Sequence, residues 1–173
     1  LDRPFVFNAA MEMVLSCRNK YMHFKVVMDL KKQMMDLHIQ PNINTVISQL
    51  LACQLATLGG QQRAFWGLTN MLVALTEART LGKADAIIYM TCFKAIQANK
   101  DVDPKKRASR DKIVATVFEC CCADGALTWF SKNLFFKLAS RESVERLYRL
   151  RLLEGNQEPN ERSRNELVNS RKK

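Results

Sequence analysis

Residues 7–42, FNAAMEMVLSCRNKYMHFKVVMDLKKQMMDLHIQPN, read as two helices that are joined by a polar break and followed by a proline exit. The second predicted helix places Val27, Leu30, Met34 and Leu37 at helical spacing, so these four side chains share one stripe. Two antiparallel helices cannot bury both of their apolar stripes against each other, and they need neighbouring helices. The stretch therefore predicts one unit of a helical-repeat array.

The rest of the chain continues the same pattern. Apolar residues at helical spacing predict helices over about 4–17, 21–37, 42–58, 61–80, 84–99, 104–124, 126–139 and 140–153. The expected breaks and start signals between them are Gly59–Gly60, Gly82, Asp103–Pro104 and Gly125. We expect an all-α fold, a right-handed stack of antiparallel helix pairs, over residues 1–153. A polar, basic and flexible tail is expected over 154–173.

The first unit carries a set of family features. The aromatic–Asn pair Phe7–Asn8 opens its first helix, Met34 lies near the end of its second, and Ile39–Gln40–Pro41–Asn42 forms its exit. In these features the unit resembles a pentatricopeptide repeat, in an α-solenoid that is also similar to tetratricopeptide arrays. Pentatricopeptide repeats typically bind single-stranded RNA, so the resemblance implies an RNA partner and the interior of a mitochondrion or plastid.

The resemblance also implies which residues would read bases, because the family reads one base per repeat with a few side chains. Its reader positions fall on Asn8 and Asn42 in the first unit, and an amide offers a base edge both a donor and an acceptor. The first reader position of the next two units holds Ile47 and Met90, which cannot hydrogen-bond a base usefully. Asn42 is also a candidate N-cap of the third helix. At most one unit is therefore expected to read a base.

The charge of the chain predicts an acidic partner. A net charge of +10 suits a nucleic acid, an anionic membrane surface or an acidic protein face. Non-specific RNA binding requires lysines and arginines along a groove. The candidate phosphate-binding residues are Lys25, Lys31, Lys32, Lys105, Lys106, Arg107, Arg110, Arg146 and Arg149. The alternative interpretation is a solvated basic face. Trp66 and Trp129 lie off the main stripes of their helices, as exposed side chains or as contacts between repeats.

Motifs for catalysis, metal binding and membrane insertion are not visible. The sequence has no phosphate-binding glycine loop, no His-Glu-x-x-His and no nucleophile elbow, so we expect no enzyme and no cofactor. Cys120, Cys121 and Cys122 would point about 100° apart on a helix, which argues against a shared metal ion. No apolar run reaches the ~18–20 residues of a membrane span, and no secretory signal is present.

The cysteines and the N-terminus bear on the compartment. The six cysteines are expected to be reduced and to act as small buried apolar residues, which favours an intracellular or organelle-interior compartment. Because the chain begins at Leu1 and not at Met, we expect a processed or trimmed N-terminus.

Two functions from different classes agree with these observations. The first is RNA binding in an organelle, to single-stranded or ribosomal RNA, through basic surfaces. The alternative is a protein–protein interaction scaffold, a peripheral subunit of a large organellar complex such as a ribosome or a photosynthetic or respiratory assembly.

Overall fold

A computed structural model of the chain describes residues 3–18, 20–99 and 104–153. The described part is all-α, with no strand. Its helices are α1 Arg3–Ser16, α2 His23–Asp36, α3 Ile43–Gln54, α4 Gln61–Thr80, α5 Ala86–Ala98, α6 Arg107–Ala123, α7 Trp129–Leu138 and α8 Arg141–Leu153. Short 3₁₀ turns, Lys20–Met22, Ala56–Gly59 and Pro104–Lys106, precede α2, α4 and α6.

The chain divides into two compact units, Leu1–Ala139 and Ser140–Lys173. The first contains α1 to α7, and α8 belongs to the second. The helical domain predicted over 1–153 therefore extends across this division. The predicted tail, 154–173, lies outside the described residues, as does Asp103, the expected cap of the sixth helix.

The helix starts follow local capping chemistry. The side chain of Asn42 accepts hydrogen bonds from the backbone of Asn44 and Thr45, and the Thr45 hydroxyl accepts one from the backbone N–H of Asn42. This reciprocal box confirms the predicted cap of the third helix. The fifth and seventh helices begin two and three residues later than expected, at Ala86 and Trp129. Asp85 and Thr128 cap them, because their side-chain oxygens accept backbone N–H groups of the first turn.

Helix α4 ends just before Gly82, the glycine that the sequence predicted as its stop. Gly82 adopts a positive φ of 64°, which L-residues with side chains rarely tolerate. The N–H of Lys83 then donates to the carbonyl of Ala78 at 2.9 Å, and the N–H of Gly82 donates to that of Arg79. These bonds satisfy carbonyls that the end of α4 would otherwise leave free. The predicted bounds of the fourth helix, 61–80, are confirmed.

The core lies along the seams between helices. Helix α3 contacts α1, α2, α4 and α5, and α5 contacts α4, α6 and α7. Large side chains fill these seams and are fully buried, among them Leu50, Leu68, Tyr89 and Phe93. Each apolar side chain of this size contributes roughly 1.5–3 kcal/mol on burial. Between α6 and α7 the rings of Phe118 and Phe135 stack, with their centroids 3.9 Å apart.

The predicted apolar stripes of the second and seventh helices are each buried in part, but each stripe contains one exposed residue. Val27 and Met34 are fully buried, but Leu37 is exposed. Helix α2 ends at Asp36, so the helical period no longer places Leu37 on the buried stripe. In α7, Leu134 is buried while Phe130 is largely exposed. Phe130 lies in the first turn of a helix that starts later than predicted, which shifts the buried face to Ser131, Leu134 and Phe135.

None of the six cysteines, all among the described residues, forms a disulfide, and they occupy different environments. Cys53, Cys92 and Cys121 are buried among apolar side chains, which confirms their predicted role. Cys17 is exposed just beyond α1, so that interpretation is wrong for this residue. Burial raises the pKa of the Cys53 thiol to about 12, and it also raises the pKa of Cys92. The buried thiols are therefore neutral and poorly reactive at physiological pH.

Candidate nucleic-acid interface

The two candidate base readers, Asn8 and Asn42, lie together in one hydrogen-bond network. The amide nitrogen of Asn8 donates to Asn42 Oδ1 at 2.9 Å, and Asn8 Oδ1 accepts from the hydroxyl of Thr45 at 2.8 Å. Asn8 is only 5 % exposed. Both polar ends of Asn8 and the oxygen of Asn42 are therefore used within the protein, where they join α1 to the start of α3.

Lys31, one of the candidate phosphate binders, lies in the core. Its ammonium is 2.6 and 2.7 Å from the carboxylate oxygens of Glu77 and 2.5 Å from Gln49 Oε1. The amide nitrogen of Gln49 donates in turn to the backbone carbonyl of Asn70. The Lys31 side chain is 6 % exposed. These bonds tie α2, α3 and α4 together and hold the ammonium away from the surface.

The other basic candidates differ in exposure. Lys25, Lys32, Lys105, Arg107 and Arg146 are exposed. Lys106 and Arg110 are half-buried. Lys106 places its ammonium 4.5 Å from the centre of the Phe65 ring, as a cation–π contact. Arg110 donates to the carbonyl of Leu138 and lies 3.6 Å from the Asp111 carboxylate. Arg146 belongs to the second unit, and the side chain of Arg149 lies outside the described part of the structure.

A groove between α2 and α4 gathers cations beside an aromatic side chain. It has a volume of about 360 Å³, and we call it the α2/α4 groove. Its lining residues are Phe24, Lys25, Met28 and Asp29 from α2 and Arg63, Trp66 and Asn70 from α4. The indole of Trp66 is 52 % exposed. Cationic and aromatic groups therefore meet at one accessible place on the first unit.

The groove has a simple structural origin. Helices α2 and α4 both contact α3, and residues of α2 and α4 line the groove. Along α4, Arg63, Trp66 and Asn70 are three and four residues apart, which places them on one face. Charge and helical pattern in the sequence pointed to Lys25 and Trp66, but not to Arg63 and Asn70. The sequence shows the helical spacing of Arg63 and Asn70, but it does not show that they lie across the groove from Lys25.

The α2/α4 groove carries three charged side chains, Lys25, Asp29 and Arg63. Among the residues that the structure describes, neither Lys25, Arg63 nor Asp29 forms a salt bridge. Two cations face one carboxylate, so the groove has a net positive charge. Trp66 also follows directly after Phe65, whose ring holds Lys106. Cationic side chains thus flank the first turns of α4 on two adjoining faces.

A second groove, between α1 and α3, has a different chemical character. It has a volume of about 310 Å³, and it contains Ile47, the first reader position of the second unit. Its lining residues are Glu12, Leu15, Ser16, Asn44, Ile47, Ser48 and Leu51. Among the described residues that line this groove there is no lysine or arginine, and these residues offer a phosphate no counter-charge.

A third polar cluster joins the ends of α4 and α6. Nε and one terminal nitrogen of Arg79 donate to the two carboxylate oxygens of Asp124 at 2.8 and 2.9 Å. The hydroxyl of Tyr89, at the start of α5, donates to the same carboxylate. Hydrogen bonds from Arg79 and then Tyr89 lower the pKa of Asp124. Burial and the bond to Asp124 raise the pKa of Tyr89. The cluster fastens three helices to one another, and sequence analysis did not identify it.

The described residues contain no group of three or more His, Cys, Asp or Glu side chains placed to hold a metal ion. In the same residues, no helix has the length and apolarity that crossing a membrane requires. The chain matches no protein-family model, no curated protein and no solved structure.

Proposed function

We propose that this chain binds single-stranded RNA, chiefly through phosphate contacts and base stacking, and that the α2/α4 groove is central to this binding. The observation that carries the proposal is the meeting of Lys25, Arg63 and the half-exposed Trp66 in that groove. Lysine and arginine attract the strand and release its counterions, and an indole face stacks on any base. The proposed role is binding and not catalysis.

The architecture that we propose is a short α-solenoid similar to pentatricopeptide arrays. Successive odd-numbered helices contact one another, α1 with α3, α3 with α5 and α5 with α7. Each intervening helix contacts the odd-numbered helices before and after it. This alternation is typical of repeats that bury a continuous core only when they are stacked. On the same resemblance we propose the interior of a mitochondrion or plastid as the compartment.

The binding that we propose is weakly dependent on sequence. The Asn8–Asn42 network already uses the polar atoms that would read a base, and its disruption would mainly affect the start of α3. Affinity should therefore come from cations outside that network. We expect Asn8→Ala to change RNA affinity little, and Lys105→Glu with Lys106→Glu to weaken it.

The experiment that tests the proposal is a salt titration of a labelled single-stranded RNA pool, followed by fluorescence anisotropy. A variant with Lys25→Glu and Arg63→Glu should bind more weakly than the original chain. Its slope of log affinity against log salt should be smaller by about 1.4, because each lost single-strand phosphate contact contributes about 0.7. Lys83→Glu with Lys94→Glu is the matched control, since both side chains are exposed, lie outside the groove and carry the same charge.

The groove variant and the control variant together distinguish RNA binding in the α2/α4 groove from a general effect of net charge. Equal weakening by the control pair would mean that only net charge matters, and it would contradict the assignment of the groove. Trp66→Ala should weaken binding at every salt concentration, whereas Trp129→Ala should not. Absence of binding at low salt would refute RNA binding altogether.

A second candidate function is a protein-interaction scaffold in a large organellar complex, such as a ribosome or a photosynthetic or respiratory assembly. A specific observation favours it: the odd-numbered helices of the first unit all expose large apolar side chains, namely Met13, Leu51, Ile87 and Trp129. Exposed apolar groups of this size are common at protein contacts. Affinity purification that recovers a stoichiometric protein partner, lost in Ile87→Lys, would support this function. Recovery of RNA alone would contradict it.

A further inference from the structure

The α2/α4 groove contains the chemical groups that one unpaired nucleotide requires. We propose that it holds a single unpaired guanine of the bound strand, with Asp29 as the group that selects the base. This inference rests on the proposed RNA binding and deepens it by naming a base. The resemblance to pentatricopeptide repeats plays no part in it, because the reader positions that it implies, Asn8 and Asn42, lie outside this groove.

The size and composition of the groove suit one nucleotide. Its volume of about 360 Å³ lies at the small end of the range of ligand sites. Trp66 offers the aromatic surface for stacking, and Phe24 and Met28 add apolar surface beside it. Lys25 and Arg63, on opposite walls, supply positive charge for the phosphates on either side of the base.

The remaining polar side chains of the groove, Asn70 and Asp29, both offer acceptor oxygens. The side-chain nitrogen of Asn70 donates to the backbone carbonyl of Trp66 at 2.9 Å, one turn before it. This bond uses one of the two N–H groups of the amide and orients it, so that Oδ1 can accept from a ligand. Asp29 is exposed, and its carboxylate forms no hydrogen bond or ion pair within the described residues, although Lys25 lies one turn away. The groove therefore presents acceptors to the edge of a stacked base.

Guanine is the base whose edge fits a carboxylate. Its N1–H and N2 amino group lie side by side, so both can donate to the two oxygens of one carboxylate. Adenine and cytosine place an acceptor nitrogen beside their amino group, and that nitrogen would face the negative charge. Uracil has a single N–H between two carbonyl oxygens. Asp29 should therefore favour guanine over the other three bases.

The test uses the fluorescence of Trp66. The chain has two tryptophans, so Trp129→Phe leaves Trp66 as the single reporter. This variant is titrated at constant low salt with short oligouridines that carry one central G, A, C or U. Stacking should quench the emission of Trp66. The G-containing oligomer should bind at least about fivefold more tightly than the others, the ratio expected for one bidentate contact.

A substitution of Asp29 tests the selecting group. In Asp29→Asn the preference for guanine should fall to less than about twofold. The affinity for plain oligouridine should stay the same or rise, because a negative charge has been removed. Asp36→Asn is the matched control: it removes the same charge from an exposed position on the same helix, outside the groove, and it should keep the preference. Asp29→Ala should behave like Asp29→Asn.

The outcomes separate this inference from the function on which it rests. Binding of all four oligomers with equal affinity would overturn the guanine site and leave RNA binding in place. A guanine preference that survives both Asp29 substitutions would overturn the role of Asp29. Failure of every oligomer to bind, together with failure of the RNA pool, would overturn the proposed function itself and this inference with it.

Discussion

Replacement of Glu77 by methionine would remove the carboxylate that holds the Lys31 ammonium at the junction of α2, α3 and α4. Methionine keeps most of the length and apolar stem of the side chain, so the main loss is the charge. The ammonium of Lys31, 6 % exposed, would then retain Gln49 Oε1 as its one polar partner among the described residues. A buried cation that has lost its counter-charge is strongly destabilising.

The expected cost follows from the burial of the two partners. Breaking a fully buried ion pair costs about 3–5 kcal/mol. Glu77 is 30 % exposed, so water entering at its position solvates the ammonium in part, and the cost should fall to about 2–3 kcal/mol. Adding Lys31→Met removes the stranded charge and leaves only Gln49 Oε1 without its donor. The double variant should therefore lose about 1 kcal/mol, which makes it more stable than Glu77→Met alone.

Urea denaturation measures these differences in the free energy of unfolding. Circular dichroism follows total helix, and the fluorescence of Trp66 in a Trp129→Phe background follows α4. Differences of this size are large against the roughly 5–15 kcal/mol of a typical domain. Glu145→Met is the control, because the Arg141–Glu145 pair is exposed and its loss should leave stability nearly unchanged.

Two results would refute this account of Lys31. One is a Glu77→Met variant as stable as the original chain, because a buried unpaired ammonium must carry a cost. The other is a double variant less stable than Glu77→Met, since that order would mean that Lys31 still stabilises the fold without Glu77 and is not a stranded charge. In RNA titrations, Lys31→Met should leave the slope of log affinity against log salt unchanged.

Three further perturbations have defined expectations. Asn42→Ala should destabilise the chain by about 1–2 kcal/mol in urea, with unchanged RNA affinity, because it removes the cap of α3; a normal stability would contradict the capping role. Folding lowers the pKa of Asp124 below its ordinary value of 3.8, so the Asp124 ion pair stabilises the fold above that pH. This contribution disappears as the pH falls through the lower pKa of the folded state. In Asp124→Asn, the loss of stability with acid, followed by circular dichroism, should therefore be smaller. Maleimide labelling followed by mass spectrometry should modify Cys17 first, and rapid native labelling of Cys53 or Cys92 would show that these buried thiols become exposed.

Several helix ends could be predicted from the sequence, because they depend on local chemistry. The Asn42 cap and the Gly82 stop act within a few residues, and both were found correctly. The start of α7 was missed because Thr128 and Ser131 form their reciprocal cap in a stretch that also continues the apolar pattern. Leu37 was misplaced because a periodic pattern does not itself indicate the residue at which a helix ends.

The candidate site could be predicted only in part. Lys25 was selected for its charge, and Trp66 was recognised as lying off the core stripe. Arg63 and Asn70 were missed, because single polar residues on a helix carry no sign of what lies across from them. Lys31 and Lys32 are adjacent and alike in sequence, yet one is buried and the other is exposed.

By itself, the sequence determined the all-α character of this protein, most of its helix bounds and its excess of positive charge. Each of these depends on composition, on helical period or on caps that act over a few residues. The tertiary structure alone decided which polar residues are available to a partner. Lys31 meets Gln49 and Glu77, which are 18 and 46 residues away, and Asn8 meets Asn42, 34 residues away. Contacts of this separation form only when helices pack, because packing removes water from both partners and each must then be satisfied by other polar groups of the protein.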